Sequence, residues 1–323
     1  MTQRNLIFRH KALAQEALTP EALAQKNLIF RLKALAREAL AQKALALEAL
    51  AQSFGTESPG TRGFDIEVKM DPVLTVRGLT KIFKRKGQTN LTAVDDVSFS
   101  LMPGECLGII GGSGSGKSTL VNMIIRLLDP DRGSIFLRGS DITHLKGRAL
   151  RNVYSEMQMV FQSPAESFDP RRTLGDGIGE ILRNGGRPAA DVRDAVSRLL
   201  ELCGLPAEFQ DRFPHEVSGG QCQRAAIARA LAINPSILIC DEATSSLDVT
   251  IQQDILSLLN DLRRQRGRDL SILFICHDIA LVQQFCDRVL VMDRGKVVEE
   301  GITDEVIRNP VHPYTRQLID SIL

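Results

Sequence analysis

The chain has 323 residues, of which 43% are hydrophobic and 24% charged, a composition typical of an ordinary globular protein with one large domain or two modest ones. Its formal net charge of +1 provides no global basic field, which disfavours a dedicated nucleic-acid binder although a local patch stays possible. The longest apolar runs fall far short of the roughly 18 to 20 residues that cross a bilayer, so we expect no membrane-spanning segment.

Residues 1–52 form a repetitive segment. "NLIFRHKALAQEAL" at 5–18 recurs as "NLIFRLKALAREAL" at 27–40, and a five-residue repeat runs inside it. Its Ala, Leu, Glu, Lys and Gln residues favour a helix, interrupted near Pro20. A five-residue period advances about 140° around a helix, which spreads the leucines and disfavours a coiled coil or a membrane-surface helix. We predict a low-complexity helical extension without a catalytic role, with partner or membrane-surface contact as the alternative.

The amino-acid composition and the hydrophobic pattern change twice after this segment. Residues 53–70 are rich in Gly, Ser, Thr and Pro and predict a linker. From residue 73 onward, short apolar runs such as "ECLGII", "MQMVF", "SILICD" and "SILFIC" alternate with helical stretches such as "KSTLVNMIIRLL" and "VTIQQDILSLLNDLRRQ". This alternation predicts an α/β domain with a largely parallel core sheet.

Six cysteines are scattered along this part of the chain without a CxxC pair. Several fall inside apolar, strand-like runs, which predicts buried, reduced thiols of a cytosolic protein and disfavours metal binding or disulfides. The cysteines are Cys106, Cys203, Cys222, Cys240, Cys276 and Cys286.

The motif "GGSGSGKST" at 111–119 fits GxxxxGK[ST] and stands between the strand-like "CLGII" and a helical stretch. Backbone N–H groups of residues 112–118 in such a loop face nucleotide phosphates at a helix N-terminus. Lys117 would reach the β- and γ-phosphates, the Ser118 hydroxyl would bind Mg²⁺, and Thr119 would support the α-phosphate. The predicted nucleotide-binding residues of the loop are Gly111, Gly112, Ser113, Gly114, Ser115, Gly116, Lys117, Ser118 and Thr119.

Two carboxylates follow the apolar run in "SILICDEATSSLD" at 236–248. They stand at the C-terminal end of a predicted strand, where open α/β sheets bind ligands. We expect Asp241 to hold Mg²⁺, directly or through water, and Glu242 to act as the base that orients the attacking water.

A second glycine-rich turn opens the helical run "VSGGQCQRAAIARAL" at 217–231. Helix N-termini attract phosphate groups. A chain that already carries a complete phosphate loop has no evident use for a second one, so this turn needs another explanation.

Together the motifs resemble the nucleotide-binding subunit of ATP-binding cassette (ABC) transporters, from about residue 73 to the C-terminus. "VFQSP", "VSGGQ", "SSLD" and "CHD" match the family's Q-loop, signature, D-loop and switch motifs, in the family's order. The resemblance implies an α/β P-loop NTPase fold with a RecA-like mixed core sheet, an antiparallel β subdomain and a helical signature subdomain at about 165–232. The ATPase domain would cover 71–305 and a C-terminal tail 306–323.

The resemblance also implies roles for further residues. Gln162 would bind Mg²⁺ or water while its loop touches a membrane partner, and His277 would contact the γ-phosphate and steady the water near Glu242. Phe83 would stack on adenine, although a Phe at this place also suits a core. With Lys117, these residues complete the expected catalytic set of Gln162, Glu242 and His277. The remaining expected nucleotide contacts are Ser218, Gly219, Gly220, Gln221 and Asp248.

In the family that this chain resembles, the signature turn contacts the nucleotide that the opposite subunit holds. The resemblance therefore implies ATP and Mg²⁺ as cofactors, and a second ABC ATPase subunit, identical or paralogous, as a partner. It further implies transmembrane permease subunits, an indirect link to a solute-binding protein, and a peripheral location at the cytoplasmic face of the bacterial inner membrane. No nucleic-acid partner is expected.

A narrower resemblance is to the oligopeptide, dipeptide and nickel importer branch. It rests on "MQMVFQSPAESFDPRRTLGDGIGEIL" and on the tail "NPVHPYTRQLIDSIL" with His312, Pro313 and Tyr314, and it fits the subunit type without a cysteine-bearing tail. Val217, Cys222 and "DEATSSLD" depart from the usual pattern without removing a catalytic group. Met70 stands where such subunits commonly begin, so we expect residues 1–69 to be dispensable for ATP hydrolysis.

Two other functions compete with a transport ATPase. A soluble ABC protein acting on ribosomes or DNA often carries two cassettes or a long inserted coiled coil, whereas one cassette and a transporter-like tail occur here. A regulatory cassette without catalysis leaves the joint presence of Lys117, Glu242 and His277 unexplained.

Overall fold

The computed structural model describes residues 71–84, 89–243 and 247–321. The predicted N-terminal extension at 1–52, the linker at 53–70 and the start at Met70 lie outside the described residues. The strands are β1 Leu74–Phe83, β2 Leu91–Leu101, β3 Cys106–Ile110, β4 Arg132–Leu137, β5 Ser140–Asp141, β6 Met157–Val160, β7 Ile237–Asp241, β8 Ser271–Ile275, β9 Arg288–Asp293 and β10 Lys296–Ile302. The helices are α1 Lys117–Ile124, α2 Gly147–Glu156, α3 Leu174–Asn184, α4 Ala189–Leu202, α5 Gly219–Leu231, α6 Val249–Arg266, α7 Ile279–Phe285, α8 Thr303–Arg308 and α9 Pro313–Asp320.

The central sheet has six strands in the order β10-β9-β3-β8-β7-β6. The pairs from β9 to β6 are parallel, and β10 joins the edge antiparallel to β9. The predicted mixed core sheet is therefore confirmed, and the carboxyl ends of its parallel strands lie along one edge.

The strands β3, β7 and β8 are buried on both faces, which explains why they read as continuous apolar runs. On β3, Leu107 and Ile109 belong to one hydrophobic cluster, which also contains residues of β1, β2 and α1. Cys106 and Ile110 point to the other cluster, which contains residues of α3 to α7. Alternate residues of one short strand thus anchor two layers.

A second sheet of four antiparallel strands has the order β2-β1-β4-β5. Its inner face packs on the cluster that covers α1, the helix that follows the glycine-rich loop at 111–116. This confirms the predicted antiparallel β subdomain and places it beside that loop.

The segment between β6 and β7 is helical and confirms the predicted helical subdomain. Thr173 caps α3, because its hydroxyl accepts a hydrogen bond from the Asp176 backbone N–H at 3.1 Å. Apolar residues of α3, α4 and α5 join the same buried cluster as the core sheet. Within the described ranges, none of the helices has the length and apolar character needed to cross a bilayer.

Helix α1 is shorter than its sequence suggests. The run "KSTLVNMIIRLL" predicts a helix to residue 128, yet α1 ends at Ile124 and Arg126 adopts a φ of 63°. The buried Arg126 guanidinium donates to the Ile142 carbonyl at 3.0 Å and to Asp129 at 2.7 Å. The hydrogen bond to the more distant Ile142 and the local one to Asp129 stabilise the left-handed residue and outweigh the helix preference of the run.

All six cysteines are buried and free, as expected from their apolar surroundings. Burial raises the pKa of Cys203 to about 12 and that of Cys222 to about 11. Thiols with raised pKa values stay protonated at neutral pH and are poor nucleophiles and metal ligands.

Candidate nucleotide-binding site

The loop between β3 and α1 has a backbone that only glycine fits at two positions. Gly111 has a φ of 152°, and an added Cβ would lie 2.2 Å from the Met292 carbonyl oxygen. Gly116 has a φ of 104°, and its Cβ would lie 2.3 Å from the Ala93 carbonyl oxygen. The loop is therefore clamped between β9 and β2, which sets the direction of its amides before α1 begins.

Lys117 is the first residue of α1, and its side chain folds back over the loop. Its Nζ donates to the carbonyls of Gly111 at 2.7 Å and Gly112 at 3.0 Å. Burial lowers the pKa of Lys117, and the negative charges of Glu242 and Asp241 oppose that shift. The ammonium group is thus held over the loop by two backbone carbonyls.

The loop forms one wall of a cleft of about 470 Å³, a volume in the range of small-molecule sites. Phe83, at the end of β1, also lines the cleft with 39% of its surface exposed. A half-exposed aromatic ring beside a phosphate-binding loop suits stacking on a base. The predicted residues Ser113 to Thr119, Phe83 and Glu242 line this one cleft.

The two carboxylates come at the end of β7, as their sequence predicts. Asp241 Oδ1 is buried without a hydrogen-bond partner. Burial, and then the negative charge of Glu242, raise the pKa of Asp241, whereas Lys117 lowers it. A buried carboxylate oxygen without a donor is costly unless a cation or donor joins it, so this atom marks a place where a ligand fits.

Glu242 has a backbone conformation that is rare for a residue with a side chain. Its φ is 47°, and its N–H donates to the Ile275 carbonyl of β8 at 3.0 Å. Non-glycine residues with positive φ carry strain that often occurs at functional sites. Here the turn directs the residue into the wall of the cleft.

His277 follows β8, the strand that pairs with β7 with Ile275 opposite Asp241. The carboxyl ends of these neighbouring strands place His277 and Glu242 on adjacent turns. His277 is exposed, and Asp278 behind it caps α7 by accepting from the Ala280 N–H at 2.9 Å. The cap fixes the turn that carries the histidine.

The signature turn lies outside the P-loop cleft. Ser218 and Gln221 form a reciprocal capping box at the start of α5, with hydrogen bonds of 3.3 and 2.9 Å. Gly220 is buried, and an added Cβ would lie 2.6 Å from Ile251 Cγ2 on α6. Ser218 and Gly219 are exposed, so an exposed hydroxyl stands at an open helix N-terminus.

Two predicted site residues also lie away from the cleft lining. Gln162 is exposed just after β6, the edge strand of the core sheet. Asp248 caps α6, because its Oδ1 accepts from the Ile251 N–H at 3.0 Å. Neither residue lines the cleft, and the other predicted residues near the phosphate loop that do not line it are Gly111, Gly112, Asp241 and His277.

Sequence reasoning missed other parts of the cleft. Arg294, in the turn between β9 and β10, and Ala93 of β2 line it. The "DRGK" turn indicates a hairpin but not a ligand. The capping box at Ser218 did have a signal, since Ser-x-x-Gln is its spacing.

Comparison with known proteins decides the family. A family model described as ABC transporter matches residues 94–245. The oligopeptide transport ATP-binding protein OppF of Salmonella typhimurium is 46% identical over 234 residues, which make up 72% of this chain and 70% of OppF. The chain belongs to the ABC transporter family. It is an ABC ATPase, as its motifs predict.

Another relative has a longer chain. The glutathione import ATP-binding protein GsiA of Escherichia coli is 45% identical over 277 residues, which make up 82% of this chain and 44% of GsiA. This ABC ATPase thus spans less than half of the length of that relative.

Solved ABC cassettes share the fold. A dimeric cassette in a post-hydrolysis state with ADP and Pi matches with a TM-score of 0.65 and 29% identity, covering 71% of this chain and 98% of that chain. The protein cbiO1 from Clostridium perfringens, part of an ABC transporter complex, matches with a TM-score of 0.66 and 28% identity. The match covers 74% of this chain and 92% of cbiO1. The fold and family inferred from the motifs are confirmed.

Proposed function

We propose that this ABC ATPase hydrolyses Mg²⁺-ATP to power a separate permease that imports peptides or a related small solute. The proposal is carried by the placement of Lys117 after β3 and of Asp241 and Glu242 at the end of β7, on the same edge of the core sheet. Lys117 and Glu242 also line one cleft. The names of the relatives, which include oligopeptide transport and glutathione import, support the cargo class.

Mg²⁺ fits the residues present. Within the described ranges, no three His, Cys, Asp or Glu side chains converge into a metal cage. Mg²⁺ needs no such cage, because it is held by one or two protein oxygens together with phosphates and waters. Asp241, with its unpartnered oxygen, and Ser118 would hold it, and Gln162 would join from the Q-loop. When bound, it neutralises charge on the β- and γ-phosphates.

The protein groups then divide the chemistry. Loop amides and Lys117 bind and orient the phosphates, and Phe83 supports the base. Glu242 orients a water for attack on the γ-phosphorus, so that a new O–P bond forms as the bond to the β-phosphate oxygen breaks and ADP leaves. His277 steadies that water and the γ-phosphate from the neighbouring strand end.

The signature turn supports a dimer in the proposed cycle. Ser218, Gly219 and Gly220 present a hydroxyl and helix amides away from their own chain's P-loop cleft, in a form suited to a partner's γ-phosphate. Gln221 holds Ser218 in place, and Asp248 lies at the start of the helix packed behind it. ATP would close two cassettes head to tail, and hydrolysis would reopen them.

The proposed assembly contains partners that this chain does not supply. The Q-loop at Gln162 would contact permease subunits, a binding protein would select the cargo, and the ATPase would sit peripherally at the cytoplasmic face of the bacterial inner membrane. We retain 71–305 as the ATPase domain, with its helical part at about 165–232, and 306–323 as the tail. The transport names of the relatives weigh against a ribosome- or DNA-directed ATPase.

The test of catalysis is Glu242→Gln. We expect turnover to fall at least about 100-fold, the contribution of a positioned general base, while ATP still binds and traps a dimer detectable by light scattering. Glu201→Gln, on the exposed face of α4, is the matched control and should change neither property. Undiminished hydrolysis in the Glu242 variant would exclude Glu242 as the base.

The cargo is tested separately. The chain would be co-expressed with the permease and binding protein that a pull-down recovers with it, and uptake of labelled short peptides measured. ATP-dependent uptake that stops in the Glu242→Gln variant supports peptide import. Normal ATPase activity with uptake of another solute alone would reject the peptide assignment.

A further inference from the structure

The C-terminal tail touches the phosphate loop directly. The Gly112 N–H donates a hydrogen bond of 2.8 Å to the hydroxyl of Tyr314 on α9. A Cβ added at Gly112 would lie 3.1 Å from the same hydroxyl, so the contact is close. The "HPYT" segment that resembles a family branch thus reaches the nucleotide site of its own chain.

Residue 112 connects this tyrosine to the phosphate-binding lysine. Its N–H is bound to Tyr314, and its carbonyl accepts from Lys117 Nζ at 3.0 Å. Both polar backbone groups of one residue are therefore engaged, one by the tail and one by Lys117. Rotation of this peptide segment would move the lysine's carbonyl partner, so the tyrosine hydroxyl acts on the lysine through one residue.

The tyrosine is itself firmly placed. His312 caps α9 by accepting from the Tyr314 N–H at 3.2 Å. The Glu299 carboxylate of β10 accepts from the N–H groups of Val311 at 2.8 Å and His312 at 3.0 Å. Thr315, next along α9, is fully buried. The tail is therefore fixed to the edge of the core sheet and can hold the loop in one position.

We propose that Tyr314 is a positioning residue for nucleotide binding, and that the C-terminal tail sets ATP affinity through its hydroxyl. This inference rests on the proposed ATPase function. Preorganised loop amides and a fixed lysine lower the cost of ordering the site when phosphate binds. The bond therefore acts on binding more than on the chemical step.

Tyr314→Phe tests the hydroxyl while keeping the ring, which packs against the core cluster. We expect the Kd and KM for Mg²⁺-ATP to rise about five-fold, the effect of losing one neutral hydrogen bond, with kcat within about two-fold of wild type. A ring that serves only packing predicts unchanged affinity. Unfolding curves verify that the variant is folded.

The chain offers a matched control, because its two tyrosines are Tyr314 and Tyr154. The Tyr154 hydroxyl on α2 is 3.5 Å from the Arg126 carbonyl. Tyr154→Phe removes the same group away from the loop and should leave ATP affinity unchanged. Equal losses in both variants would reject a specific role for Tyr314.

A spectroscopic readout follows from the same control. In the Tyr154→Phe background, 3-fluorotyrosine would label Tyr314 alone, and its ¹⁹F resonance should shift on titration with Mg²⁺-ATP, with a midpoint equal to the Kd. An unmoved resonance, or wild-type ATP affinity in Tyr314→Phe, overturns the proposal and leaves the ATPase function intact. A wild-type chain that binds no ATP overturns both.

Discussion

The turn before α1 and the turn before α5 are both glycine-rich helix starts, yet they are built differently. The first passes through left-handed residues at Gly111, Gly114 and Gly116 and is clamped between two strands. The second turn has no left-handed glycine, and Ser218 and Gln221 cap its helix with a reciprocal capping box. The first is a complete cradle within one chain, whereas the second is an exposed helix end.

The two turns also differ in charge, since ionisable groups surround the first turn and neutral groups form the second. Near the first turn, burial lowers the pKa of Lys117 and raises the pKa of Asp241. The second turn presents a neutral hydroxyl and amides, and α5 has no acidic residue in its first turn. A preformed charged site and an open neutral one suit complementary roles in a shared nucleotide site.

Among the variants that test this difference between the two turns, Gly116→Ala should have the largest effect, which is on ATP affinity. The new Cβ would lie 2.3 Å from the Ala93 carbonyl at a left-handed φ, so the first turn cannot keep its shape. We expect ATP affinity to fall more than about 100-fold in a calorimetric titration, as several kcal/mol are lost.

Two other glycine substitutions serve as controls for the Gly116→Ala variant. Gly114→Ala has the same kind of φ but meets no atom within 4 Å, so a loss of about ten-fold is expected from backbone strain alone. Gly219→Ala at the second turn meets Leu247 only at an ordinary 3.5 Å and should leave single-chain affinity unchanged. Equal effects at all positions would contradict the contrast.

Ser218→Ala should have the next largest effect. We expect turnover to fall about ten-fold to a hundred-fold, the effect of losing a hydrogen bond to a charged phosphate, while the ATP affinity of the single chain is kept. Loss of the cap should also lower the free energy of unfolding by about 1 kcal/mol.

Thr173→Ala separates these two consequences, because Thr173 caps α3 in the same way. It should lower stability by a similar amount, measured by denaturant unfolding, and leave turnover unchanged. If Ser218→Ala weakens single-chain ATP binding, the second turn belongs to the first site after all.

Asp241→Asn should have the smallest effect, on stability. The folded-state pKa of Asp241 is raised, so its ionised form costs stability, and that cost grows as pH rises through the raised pKa. Removing the buried charge should raise Tm at neutral pH by about 2 to 4 °C, the shift that about 1 kcal/mol produces in a domain of this size. The gain should vanish near about pH 4, where aspartate normally protonates.

Asp131 provides the control, because its pKa is shifted in the opposite direction. The Ile82 N–H, together with Lys81, lowers the pKa of Asp131, so its stabilising effect exists above the ordinary pKa and is lost as pH falls through the lowered one. Asp131→Asn should therefore lower Tm at neutral pH. In addition, Mg²⁺-ATP should stabilise the Asp131 variant but barely stabilise the Asp241 variant.

Much of this molecule could be predicted where the signal is local. The strands β3, β7 and β8 read as apolar runs because both sheet faces are buried, and α6 ends within one residue of its predicted bound. Helix α1 ended early because Arg126 bonds to residues beyond the helix, which no local propensity reports. The reciprocal cap at Ser218 was readable from its spacing but was read only as a phosphate turn.

The phosphate loop, the carboxylate pair and the family follow from the amino-acid sequence alone, because each motif is a short contiguous run whose backbone and side chains act together. Three features are visible only in the folded chain: the unpartnered buried oxygen of Asp241, the confinement of Gly116 by Ala93, and the hydrogen bond from Gly112 to Tyr314. The contacts of Gly116 with Ala93 and of Gly112 with Tyr314 join segments that are distant in the chain, and packing rather than local preference selects them.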